Sequence, residues 1–222
     1  MLYLIGSPIG NLGDITLRAL EILKEVAVVA AEDTRRSSVL LKHFEISKPL
    51  VSFHEHNEAR RTAELVARMR TGEKVALLTD AGMPSISDPG YRIVRACIEQ
   101  GVRIEVIPGP SAVLTALVGS GLATDRFYFG GFLPVKSGQR EKELSAALAR
   151  EVTSIYFESP HRILRSLQTI RNADPERQVC VARELTKQFE EYRRGEVAEV
   201  LSHYESHPPK GEITILISKS TR

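Results

Sequence analysis

The chain has 222 residues, 42% of them hydrophobic and 26% charged, with a net charge of +2. That length allows one large or two modest domains, each with a real core. Near-neutrality excludes a protein that coats nucleic acid through overall basicity, so any RNA partner must be met by local patches. The longest unbroken apolar run, Val26 to Ala31, is far short of a membrane span, and no signal peptide or anchor is read. Cys97 and Cys180 stand far apart. They are expected to be buried, reduced thiols of a cytoplasmic protein, not a disulfide framework or a zinc site.

The first apolar run, Leu2-Tyr3-Leu4-Ile5, reads as a strand. A helix over 14–25 follows, with Asp14 as its expected N-cap and Leu17, Leu20 and Leu23 at helical spacing. Next come strand 26–31, helix 34–44, short strand 50–53, helix 57–71, strand 74–79, helix 89–101, strand 103–107 and helix 111–121. This alternation predicts an α/β half with right-handed crossovers. The second half reads as a strand from Phe127, helix 138–150, strand 153–158, helix 160–173, strands 178–183 and 189–194, helix 196–205 and strand 213–218. Two strands follow each other there without a helix between them, which predicts a mixed sheet. Turn residues around Gly119-Ser120-Gly121 and Thr124-Asp125 suggest two α/β domains, 1–115 and 116–222, with a cleft between the lobes.

Three turn-rich loops follow strands and precede helical patterns: Gly6 to Asp14, Thr79 to Gly90, and Pro108-Gly109-Pro110-Ser111-Ala112. In open sheets, loops beyond the carboxyl ends of the strands hold ligands. Gly6, Gly10 and Gly13 lack the dinucleotide spacing, although Glu32-Asp33 lies about 20 residues on, where a ribose-binding acid would fall. Pro8 also removes an N–H that a phosphate would use, which argues against a nicotinamide site. Gly82 and Gly109 let main chain approach a ligand closely, and Pro84, Pro108 and Pro110 stiffen the loops.

Asp33 ends a strand, where it can cap the next helix, face a substrate, or do both. A reference pKa near 3.9 makes it a weak base. Glu184 and Lys187 form either an exposed ion pair or, through Lys187, a stabiliser of developing negative charge. His54 and His56 share one side of an extended segment but have no third ligand, so no metal is expected. Arg35-Arg36 and His161-Arg162 are phosphate contacts or solvated helix residues. With no Trp, six Tyr and seven Phe, most of them in strands, a single-strand stacking platform is not expected.

Nine segments in order carry a resemblance: Gly6 to Asn11, Ala31-Glu32-Asp33-Thr34-Arg35-Arg36, His54 to Glu58, Asp80 to Gly90, Pro108 to Ala112, Gly131-Phe132-Leu133-Pro134, Glu158-Ser159-Pro160-His161-Arg162, Ala182 to Lys187, and Lys210-Gly211-Glu212. Together they cover nearly the whole chain, which resembles the S-adenosylmethionine-dependent tetrapyrrole methylase superfamily. Within it the chain is similar to the branch that methylates a cytidine ribose 2′-oxygen in the decoding region of 16S rRNA. Met83 departs from the pattern, where threonine is common, at a position whose backbone contact survives the change.

The resemblance implies a class III methyltransferase fold of two α/β lobes, with S-adenosyl-L-methionine in the cleft between them. It implies cofactor contacts at Pro8, Ile9, Asp80, Gly82, Met83, Ile86, Ser111, Ala112, Phe157, Ala182 and Gly211. It also implies catalytic roles among Asp33, Glu184 and Lys187, and RNA contacts at Arg35, Arg36, His54 and Arg162. The implied partners are 16S rRNA, within the small ribosomal subunit, and a second copy of the chain in a homodimer. A methylase of a tetrapyrrole intermediate and a non-catalytic RNA-binding module are the alternatives.

Overall fold

Strands that are apolar at every position belong in a parallel sheet covered on both faces, and the first half of the chain has three of that kind, Leu2–Ile5, Val28–Ala31 and Val75–Leu78. The structure, a computed structural model, describes residues 1–220. Strands β1 (Leu2–Ile5), β2 (Val28–Ala31), β3 (Leu50–Ser52), β4 (Val75–Leu78) and β5 (Ile104–Ile107) form a parallel sheet in the order β3-β2-β4-β1-β5. Helices α1 (Leu17–Glu25) and α2 (Thr34–His43) bury Ala19, Leu23, Leu40 and Leu41 on the face that carries Tyr3, Ile5 and Val29. Helices α3 (Glu58–Arg70) and α4 (Tyr91–Glu99) bury Leu65, Met69, Ile93 and Cys97 on the opposite face, with Leu2, Leu4 and Leu77.

The second unit begins with α5 (Ala112–Ser120) and continues with β6 (Phe127–Phe132), α6 (Ser137–Ala149), β7 (Thr153–Glu158) and α7 (Ile163–Ala173). It ends with β8 (Gln178–Arg183), β9 (Glu191–Glu196), α8 (Val197–Ser206) and β10 (Ile213–Ile217). Its sheet runs β6-β7-β10-β8-β9, with β6 and β7 parallel and the remaining pairs antiparallel. Val179 and Val181 of β8 face a core built with α6, α7 and α8, which supply Leu144, Leu167 and Tyr204. α5 packs against β7, β8, β9 and β10. Its face is fixed by Tyr192 of β9, whose hydroxyl donates to the Thr115 carbonyl at 3.0 Å.

Two expectations need correction. Residues Leu12–Asp14 form a 3-10 turn capped by the Asn11 side chain, and the N-cap of α1 is Thr16, not Asp14; its hydroxyl accepts from the Ala19 N–H at 3.1 Å. Leu17 is 80% exposed, so Ala19 and Leu23 mark the buried face. The chain divides between Ser111 and Ala112, so α5 belongs whole to the second unit instead of being cut near residue 115. Cys97 and Cys180 are free and fully buried, and burial pushes both thiols up to about 11. No helix among the described residues is long and apolar enough to cross a membrane.

Candidate functional site

β1 and β4 are neighbours, yet α1 and α4, the helices that follow them, lie on opposite faces of the sheet. In a doubly wound sheet such a reversal marks the part of the carboxyl edge where ligands bind. The two loops are also joined. The Ser7 N–H donates to the Gly82 carbonyl at 2.9 Å, the Gly82 N–H donates to the Ser7 carbonyl at 3.1 Å, and the Ser7 hydroxyl donates to the Thr79 carbonyl at 2.9 Å. Gly6 and Gly109 bring in the third loop: a Cβ on Gly109 would lie 2.8 Å from the Gly6 carbonyl oxygen and 2.9 Å from its Cα. The close approach expected of Gly109 toward a ligand is thus an approach to Gly6. Gly82 needs glycine for a different reason, its φ of +83°, because a Cβ there would make only ordinary contact with Ile9 and Pro110. Ile9 is buried, whereas Ile86 remains half exposed on the loop.

The loop after β4 is strained and braced. Ser85 and Ser87 both have positive φ, a conformation that non-glycine residues hold only where surrounding structure imposes it. Glu58, 7% exposed at the start of α3, supplies part of the brace: its carboxylate accepts from the Gly90 N–H at 3.0 Å and the Arg92 N–H at 3.2 Å, capping α4 from another helix. The His54–Glu58 segment thereby gains a structural role. Asn57 holds the His54 N–H at 2.9 Å and contacts the His54 ring at 3.1 Å, which places His54 in the turn before α3.

Four carboxylates gather at the ends of β2 and β4. Asp80 accepts from the Asp33 N–H at 3.1 Å and faces Arg36 at 3.4 Å, while Glu32 accepts from the Asp80 N–H at 3.1 Å. Asp33 is the N-cap of α2, accepting from the Arg35 N–H at 2.9 Å and pairing with its guanidinium at 2.6 Å. Hydrogen bonds from Arg35, side chain first, hold Asp33 well below the usual carboxylate range. Asp88 behaves oppositely. Burial, reinforced by the charges of Glu32 and Asp80, pushes it up to about 7. Sequence reasoning gave Asp88 and Glu58 no role, although both lie in quoted segments. Among the described residues no cluster of His, Cys, Asp and Glu could hold a metal ion.

In the second sheet, Phe157, Thr214, Ala182 and Tyr192 stand in one cross-strand row. Tyr192 bonds to α5, so this row, with Phe157 and Ala182, lies on the α5 face. Beyond the end of β8, Glu184 has a φ of +50° and lies across Gly211, where a Cβ would strike its carboxylate. Glu184 accepts from the Glu212 N–H at 2.9 Å and from Lys187 at 2.8 Å, and Lys187 also reaches Glu212 at 3.0 Å. This is a half-buried clasp and not an exposed ion pair. The bond from Lys187 lowers Glu184; Lys187 itself is raised, because its bonds to Glu184 and Glu212 outweigh the opposing effect of burial. Arg162 is committed to the buried Glu158 at 2.9 Å, so its guanidinium balances an internal charge.

A parallel doubly wound sheet and a mixed sheet, each with strained loops beyond its strand ends, are the architecture on which the family match rests. The chain belongs to the tetrapyrrole (corrin/porphyrin) methylase family, whose model matches residues 1–201. Within it, the chain is 46% identical over 218 residues to the ribosomal RNA small subunit methyltransferase I of Thermotoga maritima, covering 98% of this chain and 97% of that one. The protein of the same name from Mesorhizobium japonicum is 50% identical over 218 residues, covering 97% of this chain and 74% of its own length. Among solved structures, uroporphyrin-III C-methyl transferase from Thermus thermophilus complexed with S-adenyl homocysteine has a TM-score of 0.66 at 20% identity, covering 97% and 96% of the two chains. A diphthine synthase has a TM-score of 0.72 at 15% identity, covering 98% and 89%. At those identities the structures share the fold alone.

Proposed function

We propose that this chain transfers a methyl group from S-adenosylmethionine to the 2′-oxygen of a cytidine ribose in the decoding region of 16S rRNA. The observation that carries the reading is identity of 46–50% over nearly the whole chain to relatives named ribosomal RNA small subunit methyltransferase I. When bound, S-adenosylmethionine supplies an electrophilic methyl on a sulfonium. The protein has then to hold donor and acceptor in line and to manage one proton.

The residues present suit that cofactor. Gly82 keeps side-chain bulk off the loop after β4, and Ile9 and Ile86 give it apolar surface. In this reading Pro8, Ile9, Asp80, Gly82, Met83, Ile86 and Ser111 of the first unit and Ala112, Phe157, Ala182 and Gly211 of the second hold the cofactor. Lys187, kept protonated by two carboxylates, stabilises negative charge on the oxygen acceptor instead of removing its proton. Asp33 and Glu184 are already occupied by cations, whereas burial holds Asp88 near neutral pH. Arg35 and Arg36, both mostly exposed, exchange their carboxylate partners for phosphates.

The reading places the protein in the cytoplasm, acting as a homodimer on the small ribosomal subunit. Mass spectrometry of 16S rRNA from cells with and without the gene tests it. Loss of one ribose methyl from a decoding-region cytidine is expected, and an unchanged modification pattern overturns it. Sedimentation of the purified protein checks the dimer.

A further inference from the structure

A cavity of about 360 Å³ lies within the second unit, lined by residues that include Arg183, Phe189, His203, His207 and Lys210. It lies on the reverse side of the sheet from the Phe157–Ala182 row. Side chains alternate along β8, so Arg183 follows Val179 and Val181 to the α8 face, where it meets Glu191 at 3.1 Å. His203 and Tyr204 of α8 also reach Glu191, at 3.5 Å each. Gly211 and Glu184 belong to both the cavity wall and the clasp beyond β8, so the two places share a wall.

The lining has the chemistry of a base-binding pocket. The His203 and His207 rings are stacked, 4.9 Å apart and 17° from parallel, and His207 is exposed. Phe189 is 65% exposed, a large aromatic on a loop with no core to fill. Aromatic faces of this kind are stacking partners for unpaired bases. The polar groups are mixed. Glu191 is surrounded by Arg183, Arg193, His203 and Tyr204, and Glu184 by Lys187 and the Glu212 N–H, so neither acid is left to repel a phosphate unopposed. Arg183 uses Nε on Glu191 and Nη1 on the Lys210 carbonyl at 3.2 Å. Among the described residues its Nη2 makes no hydrogen bond, and the Lys210 ammonium has no hydrogen-bond or ion-pair partner. The carbonyl end of α8 also lies here, and it disfavours a bare multivalent anion while accepting from ring or exocyclic N–H groups.

We propose that this cavity binds one unpaired nucleotide of the RNA substrate other than the one methylated, its base stacked on His207 or Phe189 and its phosphate on Lys210. The proposal rests on the reading of the protein as an RNA methyltransferase. A nucleotide gripped behind the loop that carries Gly211 would fix the register of the RNA, and so which ribose is presented.

The test compares wild type with Phe189→Ala, His207→Ala and Lys210→Ala on small ribosomal subunits from cells lacking the enzyme. Thermal melting and S-adenosylmethionine calorimetry serve as controls of fold and cofactor site. Phe189→Ala or His207→Ala is expected to raise KM for the subunit about 5- to 150-fold, the range of one stacked base, with kcat and cofactor affinity unchanged. Phe189→Tyr should restore KM. Lys210→Ala should reduce the salt slope of RNA binding by about 0.7, one single-strand phosphate contact. If wild type methylates the subunits and all three variants match it in KM and salt slope, the pocket proposal is overturned. If wild type leaves the subunits unmethylated, the RNA reading fails first and takes the pocket with it.

Discussion

A carboxylate that caps a helix and grips an arginine has little capacity left to accept a proton. Asp33 does both, at 2.9 Å and 2.6 Å, and Asn can keep the capping oxygen. Asp33→Asn should therefore cost less than tenfold in single-turnover rate, against the 10²–10⁴-fold expected of a general base. Rapid-quench methylation of saturating rRNA measures this; a loss of 10²-fold or more would reinstate Asp33 as the base. Asp88 is the contrasting case. Its folded pKa of about 7 lies above the ordinary 3.8, so its contribution to stability is full below about pH 4 and is lost as pH rises through about 7. Asp88→Asn removes that dependence. Its melting temperature relative to wild type should climb between pH 4 and 7 and level off above about 8, and a difference that stays flat across this range would show that Asp88 ionises like an exposed acid.

Loops and strand ends show how far local sequence reaches. Gly109 reads from sequence as a ligand-facing glycine, but its hypothetical Cβ falls on the Gly6 backbone, which cannot yield as a flexible side chain can. Gly109→Ala is expected to cost about 1–3 kcal/mol, as overpacking does, or roughly 4–8 °C of melting temperature per kcal/mol for a unit close to 100 residues. A calorimetric scan decides; an unchanged midpoint would mean that the two loops separate without cost. The strands and helices were legible because apolar runs of four residues flanked by 3.6-residue periodicity have few other solutions. The three ligand-type loops were legible because Gly and Pro cluster after strands. Partnerships across the chain were not. Nothing in the spacing of Glu58 says that it will cap a helix starting 33 residues later, and nothing beside Asp88 says that burial, with Glu32 close by, will raise its pKa. Such pairs are set by strand order, β2 beside β4 and β4 beside β1, which local pattern does not encode.

The same fold in a uroporphyrin methylase and a diphthine synthase, at 15–20% identity, means that the architecture does not choose the acceptor; the surface does. Here the chain as a whole is nearly balanced, 30 Lys and Arg against 28 Asp and Glu, and many of its arginines already face carboxylates, Arg35, Arg36, Arg92, Arg95 and Arg103 among them. An arginine that must leave a carboxylate to meet a phosphate gives up part of what it gains, so binding to RNA should be weak and only modestly salt-dependent. Relieving one pair should then strengthen it. Asp33→Asn leaves Arg35, whose side chain is 89% exposed, without its counter-ion. Filter binding of small-subunit rRNA should show tighter binding at low salt and a log–log slope steeper by about 0.7, the signature of one added single-strand phosphate contact. Arg35→Ala in the same assay should leave a slope no steeper than wild type. If Asp33→Asn leaves both affinity and slope where they were, Arg35 is a solvated helix residue and the RNA path lies elsewhere on the molecule.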